Sequence, residues 1–400
     1  MRIAIVSSYP PRHCGIGTYA HAQAARLRAE GHTVTVISPP DGDGDVRVPF
    51  SDGREFREAA RRGASFDRIV VHFQPGLYYR PGATAAVSKT RTSLGLRTLV
   101  RRCPQTEILV HEAHRPTRWR PDHVILRRAF AHARLEFHTN AEHRAFERDY
   151  RMRVPARIVD HREGVHVDGP RDRDAARRHL GLDPSEPLLV CAGFLHPWKG
   201  FDRAVRAFAA SEGPGRLVIV GSVRDAVPAN IDYAAELRRL VDATEGVTLL
   251  EAFQSDEDFD AWVSAADRLI LPYTRAWSSG ALARAQLLGT PAIVAAVGGL
   301  VEQVGPEDEV IRSDDQLRRA IQRIRSGERM AGEKRHRRRK LARVEGLEEI
   351  AHEPPLVEAP RRGLEPAAEA GEIGEERHAP ILRGRKSPEA VSSHPGRFWC

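Results

Sequence analysis

Apolar and polar positions along the chain run through two successive rounds of one pattern. Residues 2–7 (RIAIVS) form a continuous apolar run of the kind needed by a strand covered on both faces. A loop with Pro10, Pro11, Gly15 and Gly17 follows. Ile16, Ala20, Ala24 and Leu27 then recur at helical spacing, and Gly31 closes the helix. Residues 33–38 (TVTVIS) supply the next strand, so the unit is βαβ and a right-handed crossover makes its strands parallel. Strands at 68–73, 107–111 and 134–138 continue the alternation. Helices are expected near 84–101, 120–132 and 141–149, the last opening at an Asn140 N-cap.

After a polar connector with Gly169-Pro170 and a charged helix from Arg171 to Leu180, the pattern restarts. Strands read at 187–192, 216–220, 247–250, 268–272 and 291–296, with helices centred on 201–210, 232–242, 257–265 and 280–288. The expected fold class is α/β: two facing Rossmann-like, doubly wound domains, 1–165 and 166–335, with a cleft at the strands' carboxyl ends. Residues 336–353 read as a basic segment with a final helix turn at 346–352. From Pro354 to Cys400 the sequence is rich in Pro, Gly, Glu and Arg, which predicts a disordered tail.

Composition narrows this picture in a few places. Four hundred residues, 41% hydrophobic and 29% charged, suit two globular α/β domains rather than one. No apolar run reaches eighteen residues, so no membrane span is expected. The segment from Met1 to Pro10-Pro11 lacks the length and cleavage site of a secretory signal, which predicts a cytoplasmic protein. Cys14, Cys103, Cys191 and Cys400 show no paired or metal-like spacing and read as reduced thiols. The net charge of +8 is spread as Arg and is densest at 334–343 (KRHRRRKLAR). That excess suits phosphate-bearing substrates or an anionic membrane face such as the inner one; without interleaved aromatics the run itself reads first as a solvated face, and no nucleic-acid partner is expected.

Three loops carry candidate chemistry. Gly15, Gly17 and Ala20 match the spacing Gly-x-Gly-x-x-Ala, but residues 8–14 intervene after the strand, and Ser38-Pro39 stands where a dinucleotide fold needs an acid. A nicotinamide-dependent oxidoreductase is thereby disfavoured, whereas close approach of a phosphate or sugar is not. The loop 193–200 (GFLHPWKG) places Lys199 at a strand's carboxyl end, within reach of a diphosphate. Ser278, Ser279 and Gly280 open a helix whose bare amides make an anion site; Gly289-Thr290-Pro291 and Gly298-Gly299 then lead to Glu302. His111 and His114 are three apart without a third ligand, so no metal is expected there, and no cofactor is expected elsewhere. Trp198 and Trp277 read as cleft walls or packing.

Taken in order, the N-terminal strand, Gly15-Ile16-Gly17, Gly31-His32, the Gly-x-x-x-x-x-Lys-Gly loop and the late Gly-x-Pro…Gly-Gly-x-x-Glu resemble the retaining glycosyltransferases of family 4 over about residues 1–350. The resemblance implies a GT-B type fold. It also implies transfer of a sugar, with retention, from a nucleoside diphosphate sugar to a glycan, lipid-linked or small-molecule acceptor. By the same resemblance Lys199, Gly15, Gly17, Ser279 and Gly280 bind the donor diphosphate. His111 takes the catalytic position near the donor sugar, and Glu302, following the double glycine, falls in the vicinity of the donor sugar or ribose. Two features depart from the family pattern. Phe194 replaces an Arg ahead of the Lys, and Ala276 and Arg284 stand where paired Glu would meet the donor sugar and ribose. Neither can accept hydrogen bonds from a diol, which keeps open an alternative: an inactive nucleotide-sugar-binding or scaffold protein of the same fold.

Overall fold

A computed structural model describes residues 1–79, 85–112, 120–223 and 227–327. The first sheet contains β1 (Arg2–Val6), β2 (Thr33–Ser38), β3 (Val46–Arg47), β4 (Arg68–Phe73), β5 (Thr106–Val110), β6 (Arg134–Phe137) and β7 (Ala156–Ile158). The second contains β8 (Leu188–Ala192), β9 (Arg216–Gly221), β10 (Val247–Glu251), β11 (Arg268–Leu271), β12 (Ala292–Ala295) and β13 (Glu309–Ile311). The strand orders are β3-β2-β1-β4-β5-β6-β7 and β10-β9-β8-β11-β12-β13, with every pairing parallel.

Both sheets reverse their winding beside their first strand, between β1 and β4 and between β8 and β11. Ligands of open parallel sheets bind outside the carboxyl ends at such a switch point. Two of the glycine-bearing loops, after β1 and after β8, lie at those two points. Alternation along β1 divides the first half's interior: Ile3 and Ile5 pack with Ala20, Ala24 and Leu27, whereas Ala4 and Val6 face Phe56, Leu96 and Leu99. All five residues of β8 are buried, as a strand covered on both faces requires.

The connector is anchored from inside. Arg177, buried on the helix Arg173–His179, pairs with Asp267 Oδ2 at 3.0 Å and donates to the carbonyls of Ala265, Asp183, Pro184 and Glu186. Five acceptors around one guanidinium offset the cost of desolvating it.

Several boundaries differ from expectation. The helix Asn140–Tyr150 is capped by Thr139, not Asn140: Thr139 Oγ1 accepts from Glu142 N at 3.1 Å. β5 stops at Val110, although His111 N still reaches Phe73 O at 2.9 Å. The helices Arg54–Arg62 and Asp314–Arg325 and the short strands β3, β7 and β13 were not foreseen. His114, the basic run 334–343, the helix turn at 346–352, the tail and Cys400 lie outside the described residues. Cys14, Cys103 and Cys191 are buried and in no disulfide among the described residues. Among the described residues no helix is long and apolar enough to cross a membrane.

Candidate active site

The carboxyl ends of both sheets line one cavity of about 330 Å³. Gly15, Thr18, Tyr19 and His161 come from the first half; Gly193, Phe194, Lys199, Phe253, Asp256, Gly280 and Arg284 come from the second. A neighbouring cavity of about 250 Å³ shares Gly15, Tyr19, His161, Trp198 and Gly280 and adds Gln74, His111, Glu112, Arg275 and Ala276. Gly15, Lys199, Gly280, Arg284, His111 and Ala276 are therefore drawn together.

Lys199 ends the turn Pro197–Lys199, where Gly200 adopts a positive φ of 63°. A side chain at Gly200 would run into Pro272 O, so the glycine lets the loop turn back beneath the lysine. Lys199 Nζ donates to Tyr273 Oη at 2.7 Å and lies 4.0 Å from the Tyr273 ring centroid and 4.6 Å from that of Trp198. No described carboxylate pairs with it. Burial pulls its ammonium down to about 7. Aromatic faces stabilise the cation weakly, which leaves it available to an incoming anion.

A diphosphate beside Lys199 favours the charged form, so above pH 7 binding draws a proton onto the amine. We expect the Kd of a nucleoside diphosphate to rise from pH 7.5 to 9.5 by roughly tenfold per pH unit, with net proton uptake in calorimetry. A Kd independent of pH over that interval would remove Lys199 from the anion site.

The helix Gly280–Leu288 presents its positive end to the same space. Ser279 is nearly fully buried, and its Oγ accepts from Leu282 N at 3.2 Å while its own N–H donates to Gln303 Oε1 at 2.7 Å. Ser279 thus lines neither cavity and builds the helix start rather than offering a hydroxyl. Gly280 and Ala281, the first residues of that helix, do line the larger cavity.

Gly15 looks onto open space, whereas a side chain at Gly17 would come within 3.3 Å of Tyr9 N. Gly15 is thus the cavity glycine, and Gly17 allows the loop to pack on the helix. The double glycine is structural in the same sense. Gly298, at φ 53°, and Gly299 lie against the carbonyls of Ala276 and Trp277, which shapes the loop carrying Ala276. Glu302 lines neither cavity. Its carboxylate accepts from Asn140 N at 2.6 Å and Ala141 N at 2.9 Å and pairs with Arg144 at 3.0 Å, so it joins the two halves. Arg284 is held by Asp260 Oδ1 at 2.9 Å, Asp256 Oδ1 at 3.1 Å and His166 O at 3.2 Å.

The first half contributes a feature that sequence reading missed. Tyr19 sits among four imidazoles, with ring centroids 5.4 Å from His72, 5.3 Å from His111, 5.2 Å from His138 and 5.5 Å from His161. Burial holds His72 down to about 3 and His138 to about 4, and it keeps His111 and His161 well below the ordinary range. All four are neutral near pH 7. Among the described residues no group of His, Cys, Asp or Glu has the geometry of a metal site.

Two Rossmann-like halves facing across a ligand-sized cavity define the GT-B class of fold. Within the second half, residues 186–326 match the family described as Glycosyl transferases group 1. Among curated proteins, D-inositol 3-phosphate glycosyltransferase of Rhodococcus erythropolis is 38% identical over 137 residues. That match covers 33% of this chain and 30% of the relative, so the chain spans under a third of the relative's length. The enzyme of the same name from Mycobacterium marinum is 36% identical over 149 residues, 36% of this chain and 31% of its own. Among solved structures, sucrose-phosphate synthase from Thermosynechococcus elongatus has a TM-score of 0.61 at 18% identity, covering 81% of this chain and 89% of its own. Anabaena HepE in complex with UDP has a TM-score of 0.59 at 14% identity, covering 86% and 100%. These two likenesses concern the fold alone.

Proposed function

We propose that the chain transfers a sugar, with retention of configuration, from a nucleoside diphosphate sugar to an acceptor hydroxyl. The observation that carries this reading is Lys199: a half-buried cation with no described carboxylate partner, facing a cavity shared by both halves. In the reaction the bond between the anomeric carbon and the diphosphate breaks, and a bond to the acceptor oxygen forms. The acceptor's proton leaves with the diphosphate. Lys199 and the amides of Gly280 and Ala281 stabilise the departing charge without reorganising. The smaller cavity, with His111, Gln74 and Glu112, holds the sugar and acceptor. The names of the curated relatives and the UDP bound by Anabaena HepE support a nucleotide-sugar donor. The acceptor is a glycan, lipid-linked or small hydroxyl compound. We place it in the cytoplasm, and the basic run 334–343 supports contact with an anionic inner membrane face.

A second reading has its own observation. Arg284 stands at the ribose position of the family pattern and is engaged by two carboxylates, and Ala276 offers no acceptor. It describes a protein that binds the donor without turning it over. Incubation with labelled UDP-, GDP- and ADP-sugars, followed by separation of free nucleoside diphosphate, distinguishes them. We expect diphosphate release from at least one donor in the presence of an acceptor mixture. Binding without release would favour the second reading, and absence of both would overturn each.

A further inference from the structure

We propose that Gln23, two side chains behind the cavity, fixes the tautomer of His111 so that its Nδ1 meets a sugar hydroxyl as a hydrogen-bond acceptor. The sugar contact rests on the transfer reading above; the tautomer does not.

The chain of contacts begins in the interior. Gln23, on the helix Gly15–Ala29, and His72, on β4, are both buried. Gln23 Oε1 lies 3.0 Å from His72 Nε2, and an amide oxygen only accepts, so Nε2 carries the proton. Burial keeps His72 neutral, which leaves its Nδ1 bare. That nitrogen lies 3.1 Å from His111 Nε2, which must therefore be the donor. His111 is held neutral by burial and by its imidazole neighbours, so its own Nδ1 is bare in turn. One carbonyl oxygen thus sets the proton positions on two rings.

His111 Nδ1 bonds no described residue, nor is it among the buried atoms left without a partner. His111 borders the smaller cavity alongside Gln74, Glu112 and Arg275. Tyr19 packs edge-on at 5.3 Å and His138 lies tilted at 5.4 Å, which restrains the ring. A bare imidazole nitrogen accepts from a hydroxyl and repels a phosphate oxygen. It therefore matches the sugar rather than the diphosphate. Gln23 and His72 are positioning residues, because they act only through His111.

A histidine that merely filled space would have no fixed tautomer, which makes the tautomer the measurement. The full chain is labelled with 15N-histidine, and His111 is assigned by the signals missing from His111→Asn. Long-range proton–nitrogen correlation from pH 6.5 to 8 is expected to show a protonated Nε2 and a bare Nδ1. A proton on Nδ1 would overturn the proposal. Gln23→Leu is expected to mix the two tautomers and to lower kcat for diphosphate release about tenfold, with a smaller change in KM. Retention of the single Nε2–H tautomer in Gln23→Leu would overturn the role of Gln23, even with activity reduced. The spectrum needs no donor. A chain with the expected tautomer that releases no diphosphate overturns the transfer reading and the sugar contact, leaving the tautomer established.

Discussion

Lys199→Ala is expected to weaken nucleoside diphosphate binding and to lower kcat/KM for diphosphate release by about 10²–10³-fold, the loss typical of one preorganised charge-stabilising donor. The fold should tolerate the change. A lysine whose folded pKa lies below its unfolded value of about 10.4 binds its proton more weakly in the native state. It therefore costs stability fully below about pH 7, and that cost fades as pH rises towards the unfolded value. Removing the amine removes the cost, so the thermal midpoint at pH 7 should hold or rise while activity collapses. Lys199→Ala within threefold of the parent in binding and turnover would refute the diphosphate assignment. A fall in midpoint alongside the lost activity would point instead to the packing of Trp198 and Tyr273.

The second large effect concerns stability. Asp260 is fully buried, and Arg284 Nη1 lies 2.9 Å from its Oδ1. Asp260 Oδ2 also accepts from the backbone of Asp168 at 2.7 Å and Gly169 at 3.2 Å, which pins the connector to the helix Asp256–Ala265. Arg284→Ala leaves that carboxylate buried without its cation, and we expect a loss of about 3–5 kcal/mol in urea unfolding at pH 7. Burial already raises the Asp260 carboxyl, so the loss should shrink as acid neutralises it. Arg284→Ala/Asp260→Ala should recover part of the stability, because both charges are then gone. A loss below about 1 kcal/mol would mean that water reaches Asp260. The same geometry accounts for Arg284 as a departure from the family pattern: its guanidinium is an internal brace with one edge on the cavity.

Strands that alternate or run continuously apolar were legible from sequence: β2 and β4 fall on 33–38 and 68–73. Buried parallel strands show that signal because both faces must be apolar. The helix Arg54–Arg62 was not legible, since of its nine residues the apolar ones turned inward are Phe56 and Ala59, too few to establish a period. Strands of two or three residues, such as β3 and β7, carry no pattern at all. In the site, Lys199 and Gly280 stood out because loop chemistry is written in glycines and a cation next to a strand end. The Tyr19 cage did not. His72, His111, His138 and His161 are scattered over ninety positions of sequence, and the sheet's winding is what brings them together. The contacts of Glu302 were illegible for a similar reason, since its partners Asn140 and Ala141 lie in the other half.

That carboxylate has a mechanical consequence. Two backbone amides at one helix end and the Arg144 guanidinium converge on its two oxygens. Any motion that parts the halves at this point breaks all three bonds together, so the contact releases as a catch and does not peel away by degrees. Because its strength is electrostatic, added salt loosens the catch more than it loosens the apolar interiors on either side.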